Sequence, residues 1–227
     1  MTQPAPYGAV SGSGALSRRL RNVYWIGGGS GAGKSTIARR LAARHGLRLY
    51  STDDAMADHA SRCSPQACPL LAEFKKMSMD ERWADRSPQT MLETFHWFRG
   101  EGFGLIVEDL LRLPPDEGVI VEGFRLLPQL VGPLLDRPSQ GVWLIPTPEF
   151  RLAAFESRGS LWSIAGKTSR PHRALSNLLE RDRLFTVQLQ DMAEQAGAPV
   201  ITVDRSLTEE VLERRIETQF GLRSARL

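Results

Sequence analysis

Eight consecutive residues constrain this chain more than any others: Gly28-Gly29-Ser30-Gly31-Ala32-Gly33-Lys34-Ser35. They follow a short apolar run, Val23-Tyr24-Trp25-Ile26, of buried-strand character. They precede Thr36–Ala43, a stretch of good helix formers that sets Ile37 and Leu41 on one face, and Gly46 supplies a helix stop. The spacing is G-x-x-x-x-G-K-S, placed between a strand and a helix. Glycines let the backbone curl so that successive N–H groups converge, and the new helix adds the positive end of its dipole. Such a loop is expected to hold a nucleoside triphosphate through Gly28, Gly29, Ser30, Gly31, Ala32, Gly33, Lys34, Ser35 and Thr36. Lys34 reaches the β- and γ-phosphates and Ser35 offers a hydroxyl to Mg²⁺; Thr36 faces the adjacent phosphates or caps the helix.

The rest of the chain repeats the strand–helix alternation. Leu47–Tyr50, Gly118–Gly123, Gly141–Ile145 and Pro199–Val203 read as further strands, and Leu207–Thr218 as a final helix. Val119-Ile120-Val121 is apolar on both sides of the pleat, as a strand covered on both faces must be. The expected class is α/β, a five-stranded parallel sheet with helices on both faces. Residues 1–20 read as a tail broken by Pro4, Pro6, Gly8, Gly12 and Gly14, and residues 21–227 as one domain. The 227 residues suffice for one sizeable core. Ala55–Leu113 reads as mostly helical, with breaks at Pro65, Pro69 and Pro88.

Composition excludes some classes. Two cysteines make no disulfide framework, so a reducing cytoplasm is expected. No apolar run approaches the ~18 residues of a membrane span, and no export signal opens the chain. A net charge of +3 does not demand nucleic acid. Monomer and homodimer both remain open.

Carboxylates narrow the chemistry. Glu122 ends the third strand, where it can orient Mg²⁺ through water or cap the next element. Asp53 and Asp54 close the second strand, at the carboxyl end that faces the ligand crevice in such sheets. One can take the proton of an attacking hydroxyl while the other caps the helix starting at Ala55. Asp53 is preferred as the base, with Asp54 the alternative. No N-K-x-D and no L-S-G-G-Q is present, which disfavours guanine-specific switches and transporter ATPases.

Gly28–Ser35, the Asp53-Asp54 pair and Val119–Gly123 together resemble the nucleoside-monophosphate-kinase-like superfamily of P-loop kinases. The likeness is to the branch holding uridine kinases, gluconate and shikimate kinases, chloramphenicol phosphotransferase and zeta-toxin-like kinases. It implies a five-stranded parallel sheet, a helical lid and an acid after the second strand near the acceptor hydroxyl, a position Asp53 matches. The 55–113 segment, the expected acceptor-binding region, is longer than its counterpart in the smallest members.

Lid arginines are expected between about 150 and 183. Of Arg151, Arg158, Arg170, Arg173, Arg181, Arg183 and the nearby Lys167, the preferred clamp residues are Arg158, Arg181 and Arg183. Arg82, Trp83, Arg86, His96, Trp97, Phe98 and Arg99 fall where the resemblance puts the acceptor, although Trp83, Phe95 and Phe98 at helical spacing equally read as core. His59, Cys63 and Cys68 offer three zinc ligands with no obvious fourth, so idle thiols are the preferred account. The expected activity is ATP- and Mg²⁺-dependent transfer of the γ-phosphate to a hydroxyl or phosphate of a small molecule. A regulatory nucleotide-binding module and a kinase of nucleic-acid ends are the alternatives.

Overall fold

A computed structural model describes residues 13–158 and 160–222; the side chains of residues 13 and 156–161 also lie outside the described part. The elements run α1 (Ser13–Arg19), β1 (Val23–Gly28), α2 (Lys34–His45), β2 (Arg48–Ser51), α3 (Met56–Arg62), α4 (Pro69–Lys76), α5 (Pro88–Thr94), α6 (Phe103–Leu111), β3 (Val119–Glu122), α7 (Pro128–Val131), β4 (Gly141–Pro146), α8 (Pro148–Arg158), α9 (Ser160–Ala165), α10 (Pro171–Gln195), β5 (Val200–Val203) and α11 (Glu209–Phe220). The five strands form one all-parallel sheet in the order β2-β3-β1-β4-β5.

Burial explains the sequence pattern. β1, β3 and β4 lie inside the sheet and are buried almost throughout. Trp25, Val121, Trp143 and Ile145 pack on one face against Phe185 and Leu189 of α10 and Ile106 and Leu110 of α6. Ile26, Ile120 and Leu144 pack on the other face against Ile37 and Leu41 of α2 and Leu212 and Ile216 of α11. Successive residues point to opposite faces, so only a run with no polar alternation can serve a sheet covered on both sides. Gly46 ends α2 in the left-handed conformation, its N–H donating to the Ala42 carbonyl.

Three expectations need correction. Order begins earlier than residue 21: Ser13–Arg19 is helical, Arg19 donates to the Leu111 and Leu113 carbonyls (2.9 and 2.8 Å), and Leu20 is buried. Glycines at 12 and 14 masked a short amphipathic turn whose stability comes from docking. Pro69 and Pro88 start α4 and α5 rather than merely interrupting a helix, because proline lacks only an N–H that the first helical turn leaves unpaired anyway. Asp54 does not cap α3: Ala55 is the cap residue and no side chain closes it.

Candidate functional site

In an open parallel sheet, the strand next in sequence can lie on either side, and the crevice opens where that choice reverses. Here β2 and β3 lie to one side of β1 and β4 and β5 to the other. The carboxyl ends of β1, β3 and β2 deliver Gly28, Glu122 and Ser51 to the same rim. A cavity of about 660 Å³ opens there, with residues 30–35 of the glycine loop in its wall.

The loop is built as the spacing requires. Gly31 and Gly33 hold φ of +82° and +79°, and Gly33 is the residue before α2. Lys34 is 8% exposed, and its Nζ donates to the Gly29 carbonyl across the loop at 2.8 Å. α8 and α10 pack against the loop. Arg151 Cγ would lie 3.6 Å from a Cβ at Gly31, and Thr186 Oγ1 2.8 Å from one at Gly29.

Carboxylates gather beside Lys34. Glu122 is 2% exposed; the Ser35 and Ser51 hydroxyls lie near enough to favour its ionised form, and Oε2 is buried without a hydrogen-bond partner among the described residues. Burial raises the Glu122 carboxyl above the usual glutamate range, Lys34 pulls it back, and the Asp53 charge raises it again. The pairing of a hydroxyl with a buried, half-satisfied carboxylate is a hard oxygen donor set that suits Mg²⁺. Asp53 opens into the cavity. Desolvation raises its carboxyl as well, against the pull of Lys34 and then Arg125. Asp54 is exposed and does not line the cavity; its backbone N–H donates to Ser51 Oγ at 3.3 Å.

The close seating of these groups depends on Gly123. Its φ is +148°, and a Cβ there would stand 1.7 Å from Thr52 Oγ1 and 3.4 Å from Asp53 Oδ1. Thr52 is held in turn by Arg125, which is 2% exposed. Arg125 donates to the Thr52 carbonyl at 3.3 Å and the Gly102 carbonyl at 3.2 Å, and lies 4.0 Å from the Trp97 ring centroid. Burial pulls its guanidinium down to about 10.

Six aromatic side chains, Phe74, Trp83, Phe95, Trp97, Phe98 and Phe124, line the same cavity as Asp53 and Lys34. Trp83 sits on a single π-helical turn, Glu81–Asp85, whose carbonyls are tied down by Asn177 of α10. Trp83, Phe95 and Phe98 pack on one another as core side chains do, and they also line the cavity.

The arginines divide. Arg181 reaches the cavity at 6% exposure, donating twice to Asp182 Oδ1 (2.9 and 2.6 Å) and lying 4.8–5.2 Å from the centroids of Phe95, Trp83 and Phe98. Arg183 does not join it: two residues on a helix differ by about 200° in direction, and Arg183 pairs with Glu180 and lines a separate groove with Arg99. The Arg158 side chain lies outside the described residues. Arg86 serves the Glu81–Asp85 turn, donating to the Glu81 carbonyl and Thr94 Oγ1, and Arg170 pairs with Asp85. Thr36 lies on α2 and does not line the cavity.

His59, Cys63 and Cys68 do not form a metal-binding group among the described residues. His59 Nε2 is 2.8 Å from Asp109 Oδ2, and Cys63 and Cys68 are free thiols near each other. Asp58, His59 and Asp109 do converge, with ligand atoms within 4.8 Å of one another. Arg62 bridges both carboxylates at 2.9 and 2.8 Å, so the cluster is a closed ion-pair network.

The structure adds Arg125, Asp182 and Ser51 to the neighbourhood of the cavity. Arg125 is legible in the sequence as a charged residue just past the carboxyl end of a central strand. Asp182 pairs with the adjacent Arg181, but only the packing of α10 turns that pair to the cavity.

No family model matches the chain, and no curated protein matches it. Among solved structures, an uncharacterized protein from Eubacterium ventriosum superposes with a TM-score of 0.46 at 15% identity, over 88% of this chain and 98% of that one. The NadR protein in complex with NR superposes with a TM-score of 0.36 at 15% identity, over 94% of this chain and 55% of that one.

Proposed function

We propose that this chain is an ATP- and Mg²⁺-dependent phosphotransferase that moves the γ-phosphate to a hydroxyl of a small molecule. One observation carries the reading: the glycine loop with Lys34, the Asp53 carboxylate and an aromatic chamber all line a single cavity. A nucleotide switch needs neither an aromatic wall nor a further carboxylate in the cavity that its loop lines. The alternation of strand, loop and helix around Gly28–Ser35 supports triphosphate binding by backbone N–H groups and the α2 dipole.

In this reading Lys34 exchanges the Gly29 carbonyl for phosphate oxygens. Ser35 and Glu122 would hold Mg²⁺, which when bound neutralises charge on the transferred group. Asp53 takes the acceptor hydroxyl proton as the new O–P bond forms and the bond to the bridging oxygen of ADP breaks. Lid arginines supply charge for the equatorial oxygens. Arg151 and Arg181 are the best placed of those described, each lying on a helix that touches the loop.

Isothermal titration with Mg-ATP, followed by ADP release with and without a pool of hydroxyl-bearing metabolites, tests the proposal. Binding together with metabolite-dependent ADP release is the expected result. No binding at millimolar nucleotide overturns it, and binding with no acceptor-dependent turnover favours the switch.

A further inference from the structure

Beside the cavity, two thiols come together. Cys63 follows α3, and Cys68 precedes Pro69 at the start of α4. Between them the chain turns back on itself, the Cys68 N–H donating to the Ser64 carbonyl at 2.9 Å. The turn sets both thiols against one glycine. A Cβ on Gly102 would lie 3.3 Å from Cys63 Sγ, and the Gly102 N–H lies near enough to Cys68 to favour its thiolate. Cys68 is 2% exposed and packs with Leu71 and Trp97; the half-buried Cys63 packs against the same cluster.

The two sulfurs differ in access and share a cation. Cys63 is the one of the pair that solvent reaches. Burial pushes the Cys68 thiol up, and the neighbouring Cys63 adds to the effect, so Cys68 stays protonated until its partner reacts. Arg125 Nη2 lies 3.3 Å from the same Cβ position on Gly102, and both sulfurs, when ionised, hold the Arg125 proton more firmly. A guanidinium beside a thiol supports the negative charge of an attacking sulfur. An accessible thiol next to a cation, with a second thiol behind it, is the arrangement of a redox-sensitive pair.

We propose that Cys63 and Cys68 are an oxidisable dithiol that a peroxide converts to a disulfide, pinning α3 to α4. The Cys63 sulfur attacks one oxygen of hydrogen peroxide; the O–O bond breaks, water leaves, and the sulfur becomes a sulfenic acid. The Cys68 sulfur then attacks that sulfur. The S–S bond forms, the S–O bond breaks, and the hydroxide leaves as water with the Cys68 proton. The two thiols lose two electrons and the peroxide gains them; a dithiol reductant reverses the change.

The bond acts on the cavity. α3 contributes Met56, Ala57 and Ala60 to its wall, and α4 contributes Leu71, Phe74 and Lys75. A disulfide holds its sulfurs about 2.05 Å apart, closer than two free thiols approach. Oxidation therefore draws the two helix ends together and suppresses the separate opening of either. The inference does not depend on the phosphotransferase reading.

The test treats the full chain with hydrogen peroxide, then with N-ethylmaleimide in denaturant. Intact mass spectrometry should show a loss of about 2 Da and no maleimide adduct, both reversed by dithiothreitol. The loss should map to the tryptic peptide of residues 63–75, which holds both thiols. Hydrogen exchange across residues 56–76 should slow roughly tenfold or more in the oxidised chain, with α11 unchanged. Cys63→Ser should show neither effect. The proposal is overturned if both thiols stay open to maleimide, if the product is a cross-linked pair of chains or a stable sulfinic acid, if exchange in the disulfide form matches the reduced protein, or if Cys63→Ser responds as the parent does. The mass and exchange readouts use the parent chain, so they decide the matter even if the variant does not fold.

Discussion

Ser35, in the first turn of α2, sits beside Glu122, the last residue of β3, near enough for its hydroxyl to favour the ionised carboxylate. The juxtaposition joins the glycine loop to the strand beside it and puts a hydroxyl near a buried carboxylate whose Oε2 has no hydrogen-bond partner among the described residues. Glu122→Gln preserves shape and removes the charge. Turnover should then need higher Mg²⁺, with the half-saturating concentration raised roughly tenfold and nucleotide affinity without metal unchanged. A Mg²⁺ titration of activity measures this, and an unshifted curve would remove Glu122 from the metal site.

Lys34→Ala separates binding from chemistry. Its contact strengthens as charge moves toward the bridging oxygen, so kcat should fall about 10²–10³-fold and nucleotide affinity much less. Steady-state kinetics beside direct titration give the two numbers. Near-normal turnover would show that the loop is not the catalytic phosphate site.

For Asp53, the substitution Asp53→Asn should lower kcat by about 10²–10⁴-fold with little change in nucleotide affinity. Asp54→Asn, outside the cavity, should be the milder change. No helix-cap explanation competes, since no side chain caps α3. Asp53 is exposed by surface area, but the crowding of the cavity wall around it costs its carboxylate hydration and raises its carboxyl against the pull of Lys34, so the acid limb of kcat/KM should lie above the range of an ordinary aspartate. The folded protein binds that proton more readily than the unfolded chain, so the ionised carboxylate costs stability at neutral pH. That cost vanishes as pH falls through the raised folded value. Asp53→Asn should therefore melt no lower than the parent at pH 7, and higher if the charge dominates. A lower melting temperature with intact activity would reverse the assignment.

Gly123→Ala tests the seating of the rim. The added Cβ would meet Thr52 Oγ1 at 1.7 Å on a backbone that L-residues rarely adopt. A loss of at least about 2 kcal/mol is expected, which corresponds to a melting temperature some 5 °C lower, or more, in a chain of this size. Thermal melts decide it; an unchanged midpoint would mean that Thr52 swings aside freely.

The two helix-α10 arginines should behave differently. Arg183→Ala should leave turnover within about twofold of the parent, because an exposed pair with Glu180 contributes little. Arg181→Ala strands the buried Asp182 carboxylate and empties the ring cage, so both stability and turnover should fall. Equal effects on activity would restore Arg183 to the site.

The sequence by itself determined the strands, the loop and the helix α2 that follows it. The runs at β1, β3 and β4 lack polar alternation and are buried on both faces, and the loop chemistry is local: glycine conformations, a lysine and a helix start within eight residues. Glu122 and Asp53 were legible for the same reason, as charged residues at strand ends where the ligand crevice of a parallel sheet must lie. Tertiary structure alone decided the strand order, the helix at Ser13–Arg19 and the use of every arginine. Some guanidinium groups meet local partners, as Arg183 meets Glu180, but those at the cavity take their role from carbonyls and rings far away in sequence: Arg125 serves Thr52 and Gly102, and Arg181 faces Phe95. Helical phase alone turned Arg181 inward and Arg183 outward, and which phase faces the cavity is fixed by how α10 packs on the sheet.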